Sequence, residues 1–263
     1  EIKESERNIN FRFNEFKAFH KNEELLTKYP KDLKVKDVTE NLENDDTKKY
    51  FNRILRIDNM KITSIQLDFS RVVPIDANAV NANPRNIFSS KTKKEDVLVY
   101  PAVENFGEGI FFSFNNELIE EFSVNNEFIN GFYKKISELQ RGANNFNKSA
   151  IDFANVMNWQ FYLVHTFSHL IMRELEFRCG YPTASLSERI YVSNDDKNKM
   201  YGCLIYTAEG SEGSMGGLIA QSRPQNLKNL IKSAINRAII CNSDPLCWES
   251  EGQGLFDLNF ASC

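Results

Sequence analysis

A late pair of cysteines, two histidines and a glycine-rich run hold the residue types in this chain that could do chemistry. Cys241 and Cys247 flank Asn-Ser-Asp-Pro-Leu, and a third cysteine, Cys263, ends the sequence. Asp-Pro and Ser favour a turn, which would bring the first two thiols within reach of one ion. Thiolates so arranged suit a tetrahedral Zn²⁺ completed by a second pair of ligands. The spacing is wider than a usual zinc knuckle, and it fits two unligated cysteines acting as small hydrophobes equally well. The lack of a dense cysteine run speaks against an iron–sulfur cluster.

His165 and His169 lie four residues apart, so on a helix their rings share a face. Thr166 stands where a metalloprotease helix needs Glu, which rejects that reading. The pair could still hold a metal with Glu174 or Glu188. A metal-dependent hydrolase using His165, His169 and Glu174 is the enzymatic alternative. The simpler reading has the imidazoles hydrogen-bonding to backbone or carboxylates and fixing how the helix packs.

The run Glu209-Gly-Ser-Glu-Gly-Ser-Met-Gly-Gly217 resembles a phosphate cradle only superficially. It lacks the Gly-Lys-Ser/Thr ending of a nucleotide-binding loop, and Glu209 and Glu212 would repel phosphate. A tight loop packed against another backbone is expected, with a partner or nucleic-acid contact as the alternative. Arg223, Lys228, Lys232 and Arg237 follow with no acidic residue among them. Such a stripe could track a phosphate backbone, or be the solvated side of a helix. Lys91, Lys93 and Lys94 form a weaker second candidate. No Gly-x-Ser-x-Gly elbow, helicase motif or nuclease motif is present, so no catalytic residue is expected.

The elements that must position these residues follow from periodicity. Phe11, Phe13, Phe16 and Phe19 form a weak helical stripe that asks for a partner absent from the sequence. From Arg53 to Pro74 the pattern is strand-like, with Ile54, Ile57, Ile62, Ile65, Leu67 and Val72 among polar residues. Residues 76–96 read as a loop. Val97–Val103 and Ile110–Phe114, joined by a turn at Gly107-Glu-Gly109, read as a β-hairpin. A long helix starts near Ser149 and Asp152 as a capping box and carries Val156, Gln160, Val164, Phe167, Ile171 and Leu175 inward. Gly180 should end it in a left-handed cap. Arg189–Ser193 and Tyr201–Thr207 form a second hairpin. A last amphipathic helix directs Leu227, Leu230, Ile231, Ala234, Ile235 and Ala238 to one side.

The expected fold is mixed α/β (α+β): a small β-sheet region followed by a helix–hairpin–helix zinc-binding module. The division falls at residues 1–143, a charged and incomplete mixed-sheet region, and 144–263, a module truncated at its metal site. Composition agrees with a soluble globular protein: 263 residues, 41% hydrophobic, 26% charged, 21 Phe and 9 Tyr. A net charge of −4 supplies no global attraction to nucleic acid. No apolar run approaches a membrane span, and five cysteines, an odd number, argue for a reduced, cytoplasmic setting. Glu1 opens the sequence, and a piece of a longer protein is expected.

Several short segments also agree in order with one known family. They are His165-Thr-Phe-Ser-His-Leu-Ile, Cys179-Gly-Tyr, Ser185-Leu-Ser-Glu-Arg-Ile-Tyr191, Tyr206-Thr-Ala, Ser211-Glu-Gly-Ser-Met-Gly-Gly-Leu218 and Cys241–Cys247. Over roughly residues 150–263 they resemble the MrfA-type zinc-binding (MZB) domain, found in or beside bacterial superfamily 2 helicases. Val103-Glu-Asn-Phe-Gly-Glu-Gly-Ile-Phe112 and the strand pattern before it are similar to the DrmB family of DISARM anti-phage defence. The resemblance implies four zinc cysteines. Cys241 and Cys247 match the first pair, Cys263 matches the start of a C-x-x-C pair, and the fourth ligand lies outside the chain. It also implies a structural Zn²⁺, a separate DrmA-like helicase as partner, contact with DNA and no active site. His165, His169, Gly213, Gly216 and Gly217 become scaffold or interface elements. The accessory end of a single-chain DNA-repair helicase is the other reading consistent with that domain.

Overall fold

A computed structural model describes residues 4–21, 31–66, 100–123, 127, 129–134, 158–182, 185–207, 216–240 and 245. Cys241, Cys247, Cys263, Gly213, Lys91, Lys93, Lys94 and the Ser149–Asp152 start signal lie outside these residues. Among the described residues no helix is long and apolar enough to cross a membrane.

Five strands form one sheet: β1 (Leu33–Asp37), β2 (Phe51–Ile65), β3 (Ala102–Phe114), β4 (Leu186–Ser193) and β5 (Met200–Thr207). Their spatial order is β1-β2-β3-β5-β4, and each neighbouring pair is antiparallel. The β4–β5 hairpin therefore extends the N-terminal strands, with Phe111 of β3 opposite Leu204 of β5. The expected mixed sheet over residues 53–115 is instead a wider antiparallel one that crosses residue 143.

Side-chain alternation gives the sheet two apolar faces. Ile54, Ile110, Phe112, Ile190 and Ile205 face the layer of α3 (Trp159–Cys179) and α5 (Pro224–Ala238). Leu55, Ile57, Phe111, Tyr191 and Leu204 face α1 (Glu4–Lys21). The described residues also include the short helices α2 (Asn116–Ser123) and α4 (Gly217–Gln221). The phenylalanine stripe of α1, expected to meet a partner absent from the sequence, instead packs on this sheet. Phe16 and Phe19 are buried with ring centroids 5.8 and 5.1 Å from Phe111. Polar contacts hold the same helix: Glu15 takes both ends of the Arg189 guanidinium at 2.5 and 2.9 Å, and Arg12 donates to the Ile190 carbonyl at 2.5 Å. Only Phe11, 61% exposed, leaves the stripe.

The N-cap of α3 is Asn158, whose side chain accepts from Phe161 N–H at 3.1 Å. Val164, Phe167, Ile171 and Leu175 are buried as the stripe predicts, and Gln160, which interrupts it, is buried as well. Phe167 sits among Phe51, Phe112 and Phe114, with centroids 5.7, 5.2 and 5.0 Å away. Gly180 closes the helix at φ 70°, where a side chain would be strained. Pro224 opens α5, whose Leu227, Leu230, Ile231 and Ala234 are buried. Ile235 and Ala238 depart from expectation and are exposed. The apolar period continues there beyond the last neighbour, and periodicity alone cannot mark where packing stops.

The first expected hairpin is corrected. Gly107 and Gly109 lie inside a continuous β3, paired with Met60 and Ile57 of β2 across a bulge. Their missing side chains admit β5: a Cβ would lie 2.8 Å from the Thr207 carbonyl oxygen at Gly107, and 2.8 Å from that of Ile205 at Gly109. Gly109→Ala should therefore destabilise the fold by about 1–3 kcal/mol in chemical denaturation.

Candidate functional site

Glu108, the residue between those two glycines, is fully buried. Its carboxylate accepts from three separate groups. Tyr181 O–H donates to Oε1 at 2.7 Å, Leu218 N–H to Oε1 at 3.0 Å and Gly216 N–H to Oε2 at 2.8 Å. Thr207 Oγ1 accepts from the Glu108 backbone N–H at 3.0 Å. The donors come from the end of α3 and the start of α4, so one strand residue ties the sheet to both. Gly216 adopts φ 107°, a conformation that favours glycine, and a Cβ on Gly217 would collide with the Tyr181 hydroxyl. Burial, then the facing Glu108 carboxylate, pushes the Tyr181 phenol well above its usual range. Gly217 thus serves close packing against Tyr181, and Gly216 serves the backbone turn. Glu108 escaped the sequence reading, although a lone acid between two glycines in an apolar run was its signal.

His165 and His169 converge on Glu188 of β4. Their Nε2 atoms lie 2.9 and 3.3 Å from the same oxygen, Oε1, and Ser168 Oγ donates to Oε2 at 2.5 Å. A carboxylate only accepts, so each imidazole donates through Nε2–H. Burial raises the Glu188 carboxyl, but the bonds from His165, His169 and Ser168 outweigh it and hold the group down at about 2. Glu174 does not join them. It is buried near the other end of α3, bound by Arg178 Nε at 2.9 Å and by Arg237 Nη2 at 3.0 Å. The hydrolase set His165, His169 and Glu174 is therefore not assembled; Glu188 takes the third place.

The basic stripe of α5 divides in two. Arg237 is spent on Glu174, and Lys232 Nζ lies 2.7 Å from Asp45. Lys228 Nζ donates to the Glu43 carbonyl at 3.1 Å, which leaves its charge unmatched. Among the described residues no carboxylate forms an ion pair with Arg223 or Lys228. The Lys232 ammonium, helped by hydrogen bonds from Thr47, holds the Asp45 carboxyl at about 2.

No family model matches the chain. Over 260 residues, 95% of its length, it is 29% identical to a protein of Bacillus paralicheniformis (strain ATCC 9945a / NCIMB 11709 / CD-2) named "DISARM protein DrmB". The chain is similar to DrmB. It spans 42% of the length of DrmB, and the likeness runs through the sheet and both helical layers. Glu108, Tyr181 and Gly216–Leu218 thus meet in the same part of the fold that the DrmB-like and MZB-like segments supply. The zinc-domain resemblance rests on those short segments alone.

Glu108→Gln keeps the shape but turns an amide donor toward one of two N–H donors. It should cost about 1–3 kcal/mol and speed hydrogen exchange at Gly216 and Leu218, while Tyr181→Phe should cost less and leave those two amides protected. Asp45 supplies a pH test. Its folded pKa lies below the ordinary 3.8, so its contribution is present above that value and is lost as pH falls toward about 2. The stability gap between the native chain and Asp45→Asn, measured by urea denaturation, should therefore narrow across that window.

Proposed function

We propose that this chain is part of a non-catalytic accessory subunit of a DISARM-type anti-phage defence system, working beside a superfamily 2 DNA helicase in the cytoplasm. The likeness to DrmB along 95% of the chain carries this reading. The arrangement of the site supports it. The polar side chains that cluster in the described residues hold the layers of the fold together, as a scaffold requires. Motor activity on DNA would belong to the helicase partner.

Cys241, Cys247 and Cys263, with a fourth ligand outside the chain, would hold a structural Zn²⁺. Thiolates are the ligands that close such sites, and the ion would supply folding energy with no part in chemistry. Arg223 and Lys228 are the cations of α5 best suited to meet a DNA phosphate backbone, since Lys232 and Arg237 already face carboxylates. Lys232 would contribute only by leaving Asp45.

Deleting the gene from its defence locus should raise phage plaquing, and the native chain should restore protection and co-purify with a DNA-dependent ATPase. In the same system Cys241→Ser should lower thiolate-bound zinc and protection together. Arg223→Ala with Lys228→Ala should reduce the salt dependence of DNA binding by the complex. Unchanged plaquing and a pull-down without any ATPase would overturn the proposal.

A further inference from the structure

We propose that His165, His169 and Glu188 form a binding site for one divalent transition-metal ion, with Zn²⁺ the best chemical match. The site draws on none of the cysteines and does not depend on the defence reading. One donor atom from each of the three residues lies within 4.8 Å of the other two. The two imidazoles come from one face of α3 and the carboxylate from β4, so rigid elements set the convergence.

Geometry makes the case quantitative. Ligand atoms about 2.0–2.1 Å from a tetrahedral ion sit roughly 3.3–3.4 Å from one another. The two imidazole nitrogens are 2.9 and 3.3 Å from Glu188 Oε1. The two edges to Glu188 therefore need change by only a few tenths of an ångström, and the edge between the two imidazole nitrogens lies within 4.8 Å. Two imidazoles and one carboxylate form a ligand set that suits zinc and leaves a fourth position for water. The three side chains are 24%, 35% and 22% exposed, so that position can reach solvent.

The surroundings prepare the same result. Ser168 occupies Glu188 Oε2 and turns Oε1 toward the histidines. Outer hydrogen bonds of this kind orient metal-binding carboxylates. Glu174, the other acid on α3, is occupied by Arg178 and Arg237 and offers no competing ligand. Protons balance: to ligate through Nε2, a neutral imidazole moves its proton to Nδ1, and an imidazolium releases one to solvent. The ion then replaces two N–H donors that now share a single oxygen.

Cobalt(II) titration of the full-length protein tests the site, because thiolate ligation produces an intense near-ultraviolet charge-transfer band and nitrogen–oxygen ligation does not. One Co²⁺ should bind with visible bands that persist in Cys241→Ser, where any thiolate band is lost. His165→Ala with His169→Ala should abolish that signal and leave any thiolate-bound ion in place. Ser168→Ala should weaken binding about tenfold, and Glu188→Gln, close to isosteric, should weaken it further with the far-ultraviolet circular dichroism unchanged. A native titration showing only the thiolate band would overturn the proposal, and so would Glu188→Gln binding with native affinity. Loss of the thiolate band in Cys241→Ser bears on the structural zinc alone, so the two ideas fail separately.

Discussion

A carboxylate removed from water must be met on both oxygens, and Glu108 imposes that requirement on the rest of this molecule. Unmatched, its burial would cost several kcal/mol. The three donors that meet it belong to segments far apart in sequence: Tyr181 just past α3, and Gly216 and Leu218 at the start of α4. Each donor has its own structural condition. Gly180 must turn the chain in the left-handed region so that Tyr181 can follow, and Gly217 must lack a side chain so that the phenol can approach. Through α4 the constraint passes to α5, which packs against α3. Glycines at 107 and 109 let β5 come close on either side of the buried acid.

Polar clusters at the two ends of α3 then fix it in place. Near its start, His165, Ser168 and His169 share Glu188 with the edge strand β4. Near its close, Glu174 draws Arg178 of its own helix and Arg237 of α5. Phe167 of the same helix fills the space over Phe51, Phe112 and Phe114, and apolar packing supplies most of the energy while the charged groups select the register. On the opposite face, Glu15 and Arg12 do for α1 what Glu188 does for α3. Every acid in these clusters links a helix to a strand or to another helix. Such links hold the layers of the fold together.

Much of the local structure could be read directly from the residues. The α3 stripe, its Gly180 cap, the β4–β5 hairpin and the first turns of α5 follow from periodicity and cap chemistry, which are properties of adjacent residues. The first hairpin was misread for a specific reason. Gly107-Glu-Gly109 looks like a turn when only neighbours are considered, because glycine signals either a turn or a close approach of another chain segment. The Phe16 and Phe19 stripe likewise announces that a partner exists without saying that it is the far face of the sheet. For the candidate site, spacing placed His165 and His169 together, yet it could not choose between Glu174 and Glu188. Glu174 lies nearer in sequence. The choice went to a strand residue because two arginines already claim Glu174.

The sequence by itself determined which residues could share a helix face, where α3 ends, and that histidines and cysteines were the candidates for metal chemistry. Those properties depend on short-range geometry, 3.6 residues per turn and two per pleat, and need no knowledge of the rest of the chain. Only the tertiary structure decided that β5 joins β3, that Glu108 holds the start of α4, that Glu188 completes the histidine pair, and that half of the basic stripe faces carboxylates. Each of these pairs residues separated by 19 to 187 positions. Such pairings are set by competition among all the donors and acceptors that folding brings together, and local pattern contains no record of that competition.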